Sequence, residues 1–195
     1  MAACILRINM TDLTYRVEDV PEAYKHLGGR GMTSSIVADE VPPLCHPLGP
    51  NNKLVFSPGM LTGTAAPTSA RVSAGAKSPL TGGIKESNAG TSWACDLAAM
   101  QVKAMVVEGQ PKAKGKFWGV NLAWDAAAGK PKVEFFDATE YAGKSLYEVF
   151  PKVYERFGNK VAVAGCGVAG EYGYSNAGIA YNDTSRRPSR FSGRG

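Results

Sequence analysis

The stretch APTSARVSAGAKSPLTGGIKESNAG, residues 66–90, is nearly free of bulk. Fifteen of its residues are Ala, Gly, Ser or Thr and two are Pro, and Glu86 is its one carboxylate against Arg71, Lys77 and Lys85. Such a segment is unexpected in the middle of a chain, where core strands and helices usually lie. Small side chains, with Gly75, Gly82, Gly83 and Gly90 among them, expose backbone N–H and C=O groups to whatever lies against them. Arg71 adds a rigid fork of donors suited to phosphate, and Asn88 offers both a donor and an acceptor. Two readings meet here: a loosely packed surface loop, or a seat for a flat, heteroatom-rich ligand carrying phosphate. The segment is too apolar for a free loop, which favours the second.

On the N-terminal side, ACILRIN alternates Cys4, Leu6 and Ile8 against Ile5, Arg7 and Asn9, the period of a strand. MTD turns it into LTYRVEDV, so an opening hairpin is expected. PEAYKHLGG predicts a short helix between Pro21 and Gly28, and GMTSSIVADE a second helix stopped at Pro42 and Pro43. NKLVFS reads as a strand leading into residues 66–90. On the C-terminal side, TSWACDLAAMQ has helical spacing at Trp93, Leu97 and Met100, and AMVVEG reads as a strand. KFWGVNLAWDAAAGKPKVEFFDA predicts two strands across a turn holding Gly129. SLYEVFPKVYERFG predicts a helix with Leu146, Val149, Val153 and Phe157 on one face, bent or broken at Pro151. KVAVAG and NAGIAY are the last expected strands. Strands outnumber helices, and the helices fall among hairpins instead of alternating with single strands. The expected class is α+β with mainly antiparallel sheet.

At 195 residues, with 44% hydrophobic and 20% charged residues, the chain fits one domain able to bury a core without disulfide or metal. The 23 Gly and 12 Pro imply many turns. No apolar run is long enough to span a membrane, and MAACILRINM is too short and polar for a signal peptide, so a cytoplasmic protein is expected. The net charge of +5 is concentrated at the end of the chain, where Arg186, Arg187, Arg190 and Arg194 stand without an acid. The body is close to neutral and is not a basic nucleic-acid face. Composition alone makes residues 184–195 a disordered basic tail.

Familiar motifs fail on context. Gly165, Gly167 and Gly170 have the spacing of a dinucleotide-binding turn, but too little chain follows to complete a βαβ unit. AGKS, residues 142–145, ends like a phosphate loop but lacks its upstream glycine, so Ser145 is better read as a helix cap. Cys4, Cys45, Cys95 and Cys166 are too far apart for zinc or iron–sulfur spacing, and neither His26 nor His46 has an evident triad partner. No self-contained catalytic apparatus emerges.

GGRG at 28–31, the run from DEVPP through PLGPNNKLVFSPGMLTGTAAPTSAR at 39–71, and KSPLTGGIKESNAG at 77–90 resemble the N-terminal domain of tungsten-containing aldehyde ferredoxin oxidoreductases. The resemblance continues through VVEG, GVAGE and YND. It implies an α+β fold of two largely antiparallel β-sheets with flanking helices, on which a tungsten or molybdenum bis-pyranopterin lies. It also implies cofactor contacts at Arg71, Asn88 and Gly90. The family's Arg-Ala-Ala-Gly-Arg segment looks like Arg190, Phe191, Ser192, Gly193 and Arg194, which adds Arg190, Phe191, Gly193 and Arg194 as candidates. Phe191 and Ser192 stand in place of two alanines, and a few extra residues precede Arg190. The pterin dithiolenes hold the metal, so no protein metal ligand is expected.

The function this implies is that of a cofactor-binding domain, residues 1–195, of an enzyme oxidising aldehydes to carboxylic acids with ferredoxin as electron acceptor. The [4Fe–4S] cluster and substrate cavity belong to further domains that this chain does not supply, and those domains are its expected partners. This chain alone is expected to be inactive. Two alternatives remain open: a separate pterin-binding or scaffold subunit, and a nucleic-acid-binding module resting on the arginines of the tail.

Overall fold

The computed structural model describes residues 3–193. A six-stranded sheet forms the centre. The opening hairpin is β1 (Cys4–Asn9) and β2 (Thr14–Asp19), as its alternation predicts. A single 3-10 turn, Glu22–Tyr24, stands where a short helix was expected, because Pro21 and the glycines at 28 and 29 leave no room for a longer one. Helix α1 (Gly29–Glu40) follows, then β3 (Lys53–Pro58). The small-residue stretch is neither loop nor helix. It is a hairpin, β4 (Arg71–Lys77) and β5 (Ile84–Gly90). Helix α2 (Ser92–Ala99), capped by the Thr91 side chain accepting from the Trp93 N–H, leads into β6 (Val102–Glu108). The strand order is β2-β1-β6-β3-β4-β5, with β1 and β6 parallel and the other pairs antiparallel.

The two faces of this sheet bury different cores. Ile5, Val55, Ala104 and Val106 pack under Met32, Ile36 and Val37 of α1. Leu6, Ile8, Phe56, Val72, Ala74 and Met105 face the other way, towards Ala94 and Leu97 of α2. At the far end of α1, Arg7 is buried and bonds bidentately to Glu40 at 2.7 and 2.6 Å, with its Nε on Glu18 at 2.6 Å. Lys53 bridges Glu40 and Glu108. Burial alone would raise the Glu40 pKa, but the bonds from Arg7 and Lys53 outweigh it and hold the group at about 2.

Strands β7 (Trp118–Asp125) and β8 (Lys130–Asp137) form the expected hairpin across Gly129. Helix α3 (Leu146–Phe157) starts in a capping box of Ser145 and Glu148. It runs unbroken through Pro151, where a bend or a break was expected, and its buried face is centred on Phe150 and Tyr154. The cap and that buried stripe offset the one missing N–H bond.

The last sheet has the order β11-β10-β9, made of β9 (Ala164–Cys166), β10 (Gly178–Asn182) and β11 (Pro188–Gly193). Between β9 and β10 lies α4 (Val168–Glu171), a single turn. β9 is shorter than the KVAVAG strand expected. β11 corrects the reading of residues 184–195 as a disordered tail as far as Gly193; the last two residues lie outside the described ones. Asp183 Oδ1 accepts from the N–H groups of Ser185 and Arg187, turning the chain back so that β11 pairs antiparallel with β10. Backbone pairing and the buried Pro188 and Ser192 order a segment whose composition gave no hint of it. No helix among the described residues is long and apolar enough to cross a membrane. The fold is the expected α+β, with helices flanking sheets whose pairings are all antiparallel but one.

Candidate functional site

The face of the sheet beneath α1 changes character from one edge to the other. Under the body of the helix it is apolar; towards β4 and β5 it becomes small and polar. Gly75 lies under Thr33, and a Cβ there would meet the Thr33 Cβ at 2.7 Å and Oγ1 at 2.8 Å. Part of the small-residue composition is therefore structural: α1 lies too close to β4 for a side chain at 75.

One turn earlier the helix meets hydroxyls. The Gly29 N–H donates to Ser57 Oγ at 3.1 Å, and Gly29, with φ +52°, stands beside Ser73 Oγ. Ser73 is opposite Asn88 in the β4–β5 register, and the Asn88 Nδ2 donates to Ser73 Oγ at 3.1 Å. Asn88 Oδ1 in turn accepts from an Arg71 terminal nitrogen at 2.9 Å. Arg71 and Asn88 are exposed, and among the described residues Arg71 has no acidic partner. The guanidinium is thus aimed by a neutral amide and keeps most of its donors for something else.

Gly90 faces Arg71 across the register, and a Cβ there would meet nothing closer than the Ala70 carbonyl at 3.8 Å, an ordinary contact. The chain itself does not require glycine at 90. Lys77, by contrast, is buried with its ammonium on the Pro43 carbonyl, so it is no part of an exposed cation cluster. Arg30, in the first turn of α1, donates from Nε to Glu86 Oε2 at 2.8 Å.

β5 is the sheet's edge strand, and β11 runs against it. The structure therefore brings the segment of Arg190, Phe191 and Gly193 to the strand that carries Asn88 and Gly90. Phe191 is exposed and Ser192 buried. Arg194 lies outside the described residues. Ser57, Ser73, Arg30 and Glu86 join this face without having been singled out from the sequence. The GGRG run was the one visible signal, since it marks where the helix begins.

The rejected motifs are explained locally. A Cβ at Gly170 would lie 1.9 Å from Cys166 Sγ, so that glycine admits a side chain of its own chain. The Gly143 N–H donates to Glu171 Oε2 at 2.8 Å, which puts a carboxylate where a phosphate loop would hold its ligand. No group of three or more His, Cys, Asp or Glu among the described residues could hold a metal ion.

A cavity of about 590 Å³ lies on the opposite side of the sheet, between β3, α2, the β7–β8 hairpin and the end of α3. Phe56, Trp93, Trp118, Leu122 and Phe157 are among its lining residues, so its walls suit apolar matter. The polar chemistry is on the other face. The candidate site is therefore the Arg71–Asn88–Ser73 array with Gly90 and β11 beside it.

The family model described as aldehyde ferredoxin oxidoreductase, N-terminal domain, matches residues 5–195. The chain is 37% identical over 169 residues to the tungsten-containing aldehyde ferredoxin oxidoreductase of Thermococcus kodakarensis, covering 85% of this chain and 26% of that protein. It is 34% identical over 169 residues to the protein of the same name from Pyrococcus furiosus, with the same coverage. Among solved structures it is similar to the active site complex BamBC of benzoyl coenzyme A reductase in complex with 1,5 dienoyl-CoA. The TM-score is 0.83 at 26% identity, over 99% of this chain and 28% of that one. The chain thus spans about a quarter of the length of the relatives it matches.

Proposed function

The chain belongs to the aldehyde ferredoxin oxidoreductase family as its N-terminal domain, and from that premise we propose that residues 1–195 form the platform for a tungsten or molybdenum bis-pyranopterin. The whole enzyme on this reading oxidises aldehydes to carboxylic acids in the cytoplasm and passes the electrons to ferredoxin. Its [4Fe–4S] cluster is held by the enzyme's other domains.

The observation that carries the reading is an exposed arginine fork, aimed by Asn88 and Ser73, with no acid among the described residues to neutralise it. A cation in that state is poised for an anion, and a phosphate ester is the anion its bidentate geometry suits best. The residues fit the cofactor in a second way. Gly90 has ordinary clearance from its own chain, and glycine there lets a flat ligand approach the backbone of an edge strand.

When bound, the cofactor supplies the two-electron redox chemistry, and its dithiolenes hold the metal. This chain's residues bind and orient it. Arg71 holds an anionic oxygen, Asn88 fixes the arginine, and Gly90 offers backbone polar groups. Arg190, Phe191 and Gly193 contribute from β11, next to the same edge, and Arg194 is added on the resemblance alone. None of these groups is a catalytic acid, base or nucleophile, so this chain provides no catalytic residue.

The test is anaerobic purification of the complete polypeptide encoded by the gene. Tungsten, molybdenum and pterin are quantified, and aldehyde-dependent reduction of a viologen dye is measured. Stoichiometric pterin with tungsten or molybdenum, falling severalfold in Arg71→Lys while thermal stability is unchanged, is the expected result. Pterin with no aldehyde oxidation would mark a binding subunit. A folded, pterin-free protein would refute the platform itself.

A further inference from the structure

The Arg30–Glu86 pair on the same face has an unusual form. Glu86 is an almost fully buried carboxylate, its side chain 7% exposed, whereas the Arg30 side chain is 77% exposed. An arginine meeting a carboxylate ordinarily presents two parallel N–H groups to both oxygens. Here the bond is made by Nε alone to Oε2 at 2.8 Å, and Glu86 Oε1 is buried without a hydrogen-bond partner among the described residues. The terminal nitrogens of Arg30 take no part in this bond. Among the described residues they bond to nothing else.

The position matters as much as the form. Glu86 and Asn88 are two residues apart on β5, so both side chains project from the same face of one strand, with Cα atoms roughly 7 Å apart. Asn88 aims Arg71 and Glu86 aims Arg30. Between them lie Ser73 and the first turn of α1, whose N-terminal end favours negative charge. Two exposed guanidinium groups, each pinned from one edge strand by one polar side chain, flank one polar strip.

We propose that Arg30 is a second cofactor-holding guanidinium on this face, binding phosphate ester oxygens, and that Glu86 is the positioning residue that turns its fork outward. The proposal rests on the platform reading given above. Glu86 neutralises part of the Arg30 charge, but its burial places that carboxylate behind the arginine and away from the ligand side. The anion therefore meets donors before it meets the acid.

The experiment uses the complete polypeptide, purified anaerobically, with pterin per protein as the first readout. Retention of pterin during dialysis against rising salt is the second, and the thermal midpoint the third. Arg30→Gln is expected to weaken retention roughly tenfold or more, the cost of losing a charge-assisted pair, and to lower the midpoint only in part, since the buried Glu86 loses its charged partner but a glutamine amide can still donate to it. Arg30→Lys falls between, since it keeps charge and loses the fork. Glu86→Ala behaves like Arg30→Gln, while Glu86→Gln, which still accepts from Nε, restores retention.

Wild-type retention in Arg30→Gln alongside loss in Arg71→Lys would overturn the proposal and leave the platform reading standing. Full retention in both variants would overturn both. An Arg30→Gln protein that fails to fold would make the residue structural and equally overturn the proposal. Glu86→Gln losing as much pterin as Glu86→Ala would remove Glu86 from the positioning role.

Discussion

Replacing Gly75 with alanine tests why the sequence is so poor in bulk here. The added Cβ would lie 2.7 Å from Thr33 Cβ and 2.8 Å from its Oγ1, and 3.6 Å from the Thr33 carbonyl carbon. Carbon atoms rest at about 3.5–4.0 Å, so helix and strand must part by nearly 1 Å, or Thr33 must leave its rotamer. Forcing a methyl into a packed interface costs about 1–3 kcal/mol. Against this, alanine in a strand gains about 0.5–1 kcal/mol over glycine. The clash wins, and a net loss of about 1–2 kcal/mol is expected in urea unfolding. A double-mutant cycle with Thr33→Ala sharpens the test. The Thr33 Oγ1 contact is removed, and part of the loss is expected to return as a coupling of about 0.5–1 kcal/mol. Gly75→Ala more stable than the wild type, or no coupling to Thr33, would refute the close-approach explanation.

Glu40→Gln leaves Arg7 without its bidentate partner and is expected to cost about 3 kcal/mol at neutral pH. In the wild type the Glu40 pKa is lowered from 4.5 to about 2, so its stabilisation is complete above pH 4.5 and lost as pH falls towards 2. That component is about 3 kcal/mol by linkage, and equilibrium unfolding from pH 6 to 2 is expected to show it in the wild type and not in Glu40→Gln. Deleting residues from 188 onward removes β11 and uncovers one side of β10. Faster amide exchange at Ile179–Tyr181 is expected; unchanged exchange would mean that β11 contributes nothing to the sheet. Ser145→Ala removes the acceptor for the first turn of α3 and is expected to cost about 1 kcal/mol, read as a lower thermal midpoint.

What could be read in the sequence was whatever depends on local pattern. The opening hairpin, α1, β3, α2, β6, the β7–β8 hairpin and the Ser145 cap all follow from periodicity, turn residues or caps within a dozen residues of each other. β4 and β5 were missed because residues chosen to pass beneath a helix have no strand-like bulk. Their identity as strands comes from backbone pairing and from α1, neither of which lies in the segment. β11 was missed for the same reason, since an arginine-rich run is ordered here by its partner strand and the Asp183 turn. Pro151 misled in the other direction, because a capped amphipathic helix tolerates one lost bond.

The candidate site was half legible. Arg71, Asn88 and Gly90 stood out by their chemistry and were then given a cofactor role by the resemblance, and the structure places all three at one edge. That Ser73 bonds Asn88, which aims Arg71, depends on a strand register that joins residues fifteen and seventeen apart in sequence. The pairing of Arg30 with Glu86 spans fifty-six residues and has no sequence signature.

Locating the metal tests the central claim most directly. Crystals of the complete protein carrying its cofactor, measured at the tungsten absorption edge, give one anomalous peak per site. The peak is expected beside the edge strand of Asn88 and Gly90, on the side to which Arg71 points, with pterin phosphate oxygens within hydrogen-bonding distance of its guanidinium. A peak over the apolar cavity behind the β7–β8 hairpin, or one far from both faces with Arg71 open to solvent, would contradict it.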